Sequence, residues 1–121
     1  NQGLDVAWEH SGDGVVVAWA PSAGTKVRYL SWQKGTALAG QAVQFGPNLQ
    51  NTPSLVRLCP IANTEKIILL TRNTSNELRY SLWTGNTFLG DPAILLESSL
   101  SSDKLPFNIA ESGVTYTGGS N

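Results

Sequence analysis

Val27-Arg28-Tyr29-Leu30-Ser31-Trp32 returns 51 residues later as Leu78-Arg79-Tyr80-Ser81-Leu82-Trp83. Carried backwards at the same offset, the match sets Val16-Val17-Ala18-Trp19 over Ile67-Ile68-Leu69-Leu70. It also sets Leu4-Asp5-Val6-Ala7 over Leu55-Val56-Arg57-Leu58. A repeat of that length is one supersecondary unit, of the kind that buries its apolar face against a copy of itself. The period inside the repeated segments is two. Val27, Tyr29 and Ser31 share one face of a strand, and Arg28, Leu30 and Trp32 share the other. β-branched and aromatic residues fill these runs, as a pleated, half-buried surface requires.

Turn chemistry separates the runs. Ser11-Gly12-Asp13-Gly14, Pro21-Ser22-Ala23-Gly24, Lys34-Gly35 and Gly46-Pro47-Asn48 punctuate the first unit. Ala62-Asn63-Thr64, Asn73-Thr74-Ser75-Asn76, Gly85-Asn86 and the stretch 98–103 punctuate the second. No segment carries a helix cap followed by a helical apolar stripe. The chain therefore reads as all-β: two four-stranded antiparallel repeat units of about 51 residues each, blade-like in the manner of a propeller. Strands are predicted at 4–9, 14–20, 26–33 and 36–45, then at 54–60, 65–72, 77–84 and 87–97. A two-sheet β-sandwich is the alternative, since both architectures use alternating inward residues. Val15, Val17, Trp19, Tyr29, Trp32, Ile68, Leu70, Tyr80 and Trp83 are the expected core.

The units span 4–52 and 53–104 of a single domain, and a partial third occupies 105–117. There Leu105-Pro106-Phe107-Asn108-Ile109-Ala110 echoes Gly3-Leu4-Asp5-Val6-Ala7, with Phe107 103 residues after Leu4. A propeller needs at least about four blades, so one copy with two units cannot close a ring. The expected C-terminal extra strand, with Phe107, Ile109, Val114 and Tyr116, offers an edge that recruits another strand.

Composition narrows the partners. Charged residues are 14% of the 121, and the net charge is −1, well under the roughly 25% charged residues of ordinary soluble domains. No basic stripe exists to neutralise a phosphate backbone, so nucleic acid is not an expected partner. No apolar run approaches the roughly 20 residues of a membrane-spanning helix, and from Asn1 onward there is neither a charged n-region nor an apolar h-region. Cys59 is the single cysteine. It excludes an intrachain disulfide and reads as a small buried apolar residue. The low charge and Ser/Thr/Asn-rich polarity lean towards an extracellular or cell-surface location.

Three family resemblances rest on these residues. Asp5-Val6-Ala7-Trp8-Glu9, Gly14-Val15-Val16-Val17-Ala18-Trp19, Val27-Arg28-Tyr29 and Trp32 resemble the tandem propeller-like β-repeats of large secreted bacterial surface proteins. More distantly, the chain resembles fucose-binding lectins whose two-blade chains trimerise into six-bladed propellers. Each blade of those lectins ends in Trp-Asp-Gly-x-Gly-Trp. Here the segments are Trp32-Gln33-Lys34-Gly35-Thr36 and Trp83-Thr84-Gly85-Asn86-Thr87-Phe88, without the Asp, and Tyr29 and Tyr80 stand where the lectins carry a sugar-binding Glu. That resemblance implies the architecture rather than the sugar site. Ser11-Gly12-Asp13-Gly14 is similar to the Asp-box turn of sialidase-like propellers but lacks the Thr-Trp that follows, and reads as a hairpin turn.

Little here points to catalysis. His10, the single histidine, stands beside Glu9, and a His–carboxylate pair can do acid–base work, but no nucleophile or second ligand accompanies it. HExxH, GxSxG and P-loop patterns are absent. The expectation is a non-enzymatic protein with no cofactor or metal. Arg28, Tyr29 and Trp32, with their repeats Arg79, Tyr80 and Trp83, are the candidate ligand-binding residues, since Arg among aromatics can hold a sugar. The alternative role for the same residues is packing between units. Asn73-Thr74-Ser75 is a glycosylation sequon in a turn. The leading function is an extracellular structural module that self-associates through β-strand pairing of incomplete units, as a surface filament or an oligomeric propeller. The alternative is a carbohydrate-binding propeller formed by oligomerisation, with cell-surface glycans as ligands. A hydrolase fragment is a more remote third.

Overall fold

The computed structural model describes residues 3–37 and 40–100. Its strands are β1 (Leu4–Trp8), β2 (Gly14–Trp19), β3 (Lys26–Gln33), β4 (Gln44–Asn48), β5 (Pro53–Pro60), β6 (Ile67–Asn73), β7 (Leu78–Trp83) and β8 (Phe88–Glu97). They form two four-stranded antiparallel meanders, β1-β2-β3-β4 and β5-β6-β7-β8, and no helix occurs among the described residues. The chain is all-β. The expected extra strand, with Phe107, Ile109, Val114 and Tyr116, lies outside the described residues.

The sheets stack face to face, with β1 against β5 and β4 against β8. Period-two alternation sends Ala7, Val16, Ala18, Val27 and Tyr29 of the first sheet inward. Val56, Leu58, Ile67, Leu69 and Trp83 of the second come to meet them. At the centre, Tyr29 and Trp83 meet edge-on at 5.7 Å between centroids, and Phe88 lies 5.1 Å from each ring. Edge-to-face aromatic packing of this sort adds about 0.5–1.5 kcal/mol per pair beyond the burial itself.

Main-chain and side-chain hydrogen bonds also cross between the sheets. Leu58 N donates to Asp5 Oδ2 at 2.8 Å, and Asn73 Nδ2 donates to the Leu49 carbonyl at 2.8 Å. At the hairpin end, Ser11 N donates to the Thr64 carbonyl and Asn63 N to His10 Nδ1, each at 2.9 Å. Asn73 is fully buried, and its Nδ2 also donates to Glu77 Oε1 at 2.7 Å. The sequon asparagine is thus enclosed by the fold.

Three expectations need correction. First, the fourth strand starts later than 36–45. Gly35 and Gly40 take positive φ, which breaks an extended run, and β4 then continues through Gly46-Pro47-Asn48, which is not a turn. An edge strand tolerates a proline that cannot donate to a ladder, and β4 fits one extra residue opposite β3 between Lys26 and Arg28.

Second, the repeat does not hold one offset. Trp32 pairs with Val15 and Trp83 with Ile67, so Val15, not Val16, corresponds to Ile67. The span from Trp19 to Arg28 is one residue longer than that from Thr71 to Arg79. Third, of the nine expected core residues, Val15, Tyr29 and Trp83 are buried, while Val17, Trp19, Trp32, Ile68, Leu70 and Tyr80 are half-buried. Those six belong to sheet faces that turn away from the partner sheet.

Candidate functional site: two outward apolar faces

The reason for that half-burial is the way the sheets stack. Tyr29 pairs with Ala18 and points inward, whereas its repeat, Tyr80, pairs with Leu70 and points outward. Trp83 points inward, whereas Trp32 points outward. Arg79 lies inward beneath β8, and Arg28 lies outward over Phe45. Every pair of repeat equivalents is split in this sense. The second sheet is therefore stacked head to tail on the first: one unit's inner face is the other unit's outer face.

Both outer faces are rich in apolar side chains. On the first sheet Leu4, Val6 (46% exposed), Trp8 (63%) and Phe45 lie open. On the second Leu89 and Ile94 (50%), paired with Leu82 and Tyr80, do so. Large contiguous apolar faces are uncommon on monomeric soluble proteins and mark surfaces that meet something else.

The six candidate ligand-binding residues do not converge on one place. Arg28 donates to the Lys26 carbonyl at 2.6 Å and stacks 3.9 Å over the Phe45 ring. Trp32 shares that outer face, and Tyr80 lies on the opposite one. Tyr29 and Trp83 are in the core. Arg79 is buried, donating to Glu77 Oε1 at 3.1 Å and to the Ala93 carbonyl at 2.7 Å. The Glu77 carboxyl is held below its ordinary range, chiefly by the Asn73 amide and then by Arg79.

A shallow cleft opens where β4 approaches β8, lined by Tyr29, Phe45, Pro47, Thr87, Phe88 and Asp91. Burial raises the Tyr29 phenol above its ordinary pKa, against the opposing effect of a hydrogen bond with Thr87. Asp91 Oδ1 accepts from Asn48 N at 3.0 Å, so part of its carboxylate already ties the two edges together.

Glu9 is the residue that sequence reasoning missed. It is 6% exposed, and its Oε2 accepts from Trp83 Nε1 at 2.8 Å while Oε1 accepts from Gly14 N at 3.1 Å. The Ser11-Gly12-Asp13-Gly14 turn owes its glycines to this carboxylate. A Cβ on Gly12 would come within 2.1 Å of Glu9 Oε1, and one on Gly14 within 2.5 Å of Oε2. A turn with two glycines immediately after a strand-end acid was the available signal. His10 points elsewhere, its Nδ1 engaged by Asn63, so the two side chains make no acid–base pair. Among the described residues no group of three or more His, Cys, Asp or Glu could hold a metal.

Comparison with protein-family models, curated proteins and solved structures finds no match to this chain.

Proposed function

We propose that this chain is a non-enzymatic module that self-associates, a structural or assembly unit of the extracellular space or cell surface. The observation that carries the reading is the pair of outer faces, each with large apolar side chains on open sheet surface. Covering them removes apolar area from water at about 25 cal/mol per Å². Location rests on composition: low charge and abundant Ser, Thr and Asn. The route that the exposed residues favour is stacking of faces; the strand pairing expected of 105–117 lies outside the described residues.

Light scattering and native mass spectrometry of the full chain test this directly. The expected particle is a discrete multiple of the chain mass, or a polydisperse row of copies. A single monomeric species at tens of micromolar would overturn it.

Carbohydrate binding is the second reading, favoured by the cleft at β4 and β8 with its aromatic walls and the Asp91 carboxylate. Aromatic rings beside a carboxylate match the alternating apolar and hydroxyl surfaces of a sugar. A glycan array probed with the full chain, and repeated with Asp91→Ala, separates the two. Glycan signal lost in that variant would favour the lectin; an assembled particle with no glycan signal favours the structural module.

A further inference from the structure

We infer that copies of the chain join head to tail, the outer face of the second sheet of one copy stacking on the outer face of the first sheet of the next. The inference rests on the self-association proposed above and specifies its geometry. Within the chain, a face bearing Tyr29, Val16 and Ala18 packs on a face bearing Trp83, Ile67 and Leu69. The repeat places counterparts of both sets on the two outer faces, where Val15 is already covered by its neighbours. Tyr80, Ile68 and Leu70 stand on the outer face of the second sheet where Tyr29, Val16 and Ala18 stand on the inner face of the first. Trp32, Val15 and Val17 stand on the outer face of the first sheet in the positions of Trp83, Ile67 and Leu69.

The operation that carries the first sheet onto the second can therefore be applied again. It brings the first sheet of another copy onto the open second sheet, with Trp32 of that copy edge-on to Tyr80. A contact of this kind repeats one that the molecule already makes. A two-fold contact would press one face against itself, an arrangement with no precedent in the chain. Heterologous contacts of this sort close into a ring when the rotation allows and otherwise run on as an open row.

The polar groups of the internal contact are adapted rather than copied. Asp5 has Arg57 as its counterpart, and Glu9 has Ile61. The Asp5 carboxylate serves two equivalent backbone donors at once, Leu58 N at 2.8 Å and Val6 N at 2.9 Å. Val6 therefore needs no acceptor from a neighbouring copy. Trp32 meets Ile61 rather than a glutamate, so the contact between copies lacks the buried indole hydrogen bond. It is the weaker of the two, as a contact that forms after folding would be.

Two single variants test the geometry, each at a side chain already about half exposed: Val6→Lys on the first face and Ile94→Lys on the second. Unchanged circular dichroism establishes that both fold. Each variant alone is expected to run as a monomer, because each has lost one of two complementary faces. Mixed in equal amounts, they should form a 1:1 heterodimer by native mass spectrometry, through the intact second face of one and the intact first face of the other. Dimers of either variant by itself would overturn the head-to-tail arrangement in favour of a two-fold contact. Full-size assembly by both variants would overturn face stacking while leaving self-association standing. A monomeric unaltered chain would sink the self-association proposal itself.

Discussion

The buried carboxylate of Glu9 joins the two sheets, accepting from the Trp83 indole at 2.8 Å across 74 residues of sequence while its other oxygen accepts from Gly14 N in its own hairpin. Removing it would leave two buried donors without an acceptor. Each such loss costs about 1–3 kcal/mol. Glu9→Ala is therefore expected to destabilise the fold by about 2–4 kcal/mol. Glu9→Gln keeps one acceptor oxygen, and only one of the two donors can then be satisfied, so its cost should be roughly half. Urea unfolding followed by tryptophan fluorescence reads both. Equal losses for the two variants would mean that packing, not hydrogen bonding, fixes Glu9.

The glycines of the hairpin should report on the same carboxylate. Gly12→Ala places a methyl group against Glu9 Oε1, the oxygen that accepts from Gly14 N, and so crowds the carboxylate whose other oxygen holds Trp83. Its destabilisation, on the order of 1–3 kcal/mol for overpacking, should largely vanish in a Glu9→Ala background. Neighbours that share one contact couple in this way. Strict additivity in the double variant would show that Gly12 is needed for the backbone alone.

Trp32 and Trp83 occupy equivalent places in the repeat yet lie on opposite faces. Trp83→Ala should cost the fold about 3–5 kcal/mol, as a core tryptophan does. Trp32→Ala should cost the isolated chain about 1 kcal/mol, since the side chain is half exposed and its loss opens no closed cavity. Its effect should appear instead in assembly, as a higher concentration needed for the particle to form. A Trp32→Ala chain as unstable as Trp83→Ala would contradict the face assignment.

Acid should loosen the hairpin that joins β6 and β7. The Glu77 carboxyl is held below its ordinary range by Asn73 and Arg79, so its ionised form favours the folded state. That stabilisation is present above the unfolded-state value near 4.3 and is lost as pH falls through the lower folded-state value. Glu77→Gln should flatten the acid limb of a stability-against-pH curve between about pH 5 and 2. An acid limb unchanged in the variant would place the transition on another carboxylate.

Seven of the eight strands, most turns and the division into two four-stranded sheets were legible in the sequence because period-two alternation and turn residues are local signals, whereas β4 was displaced by reading Gly46-Pro47-Asn48 as a turn. Which face each strand buries was not legible. Arg28-Tyr29 and Arg79-Tyr80 have the same local pattern, and nothing near them says that one tyrosine looks inward and the other outward. Alternation fixes which residues share a face; the stacking of distant elements decides which face is covered. The shifted register is of the same kind. A hairpin one residue longer leaves the apolar content of β2 and β6 alike but moves the correspondence by one, and in a strand one residue reverses the face. The Glu9–Trp83 bond was hidden for a third reason: its partners are far apart in the chain and meet only after the sheets stack. The candidate site was legible as residue types, since aromatic and arginine side chains do repeat, but not as a place.

Asn73 bears on how the protein can be produced. Its amide nitrogen is buried and donates to both Leu49 and Glu77, and a sugar-bearing nitrogen has only one hydrogen left to give. In a eukaryotic secretory host the sequon is open to oligosaccharide transfer only while the chain is still unfolded, so sheet formation and glycosylation compete for the same side chain. A chain that folds first escapes modification. One that is modified first carries a glycan that the β6–β7 hairpin has no room to enclose. Yields should therefore rise in a bacterial host or with Ser75→Ala, which removes the sequon while Asn73 keeps both donated bonds.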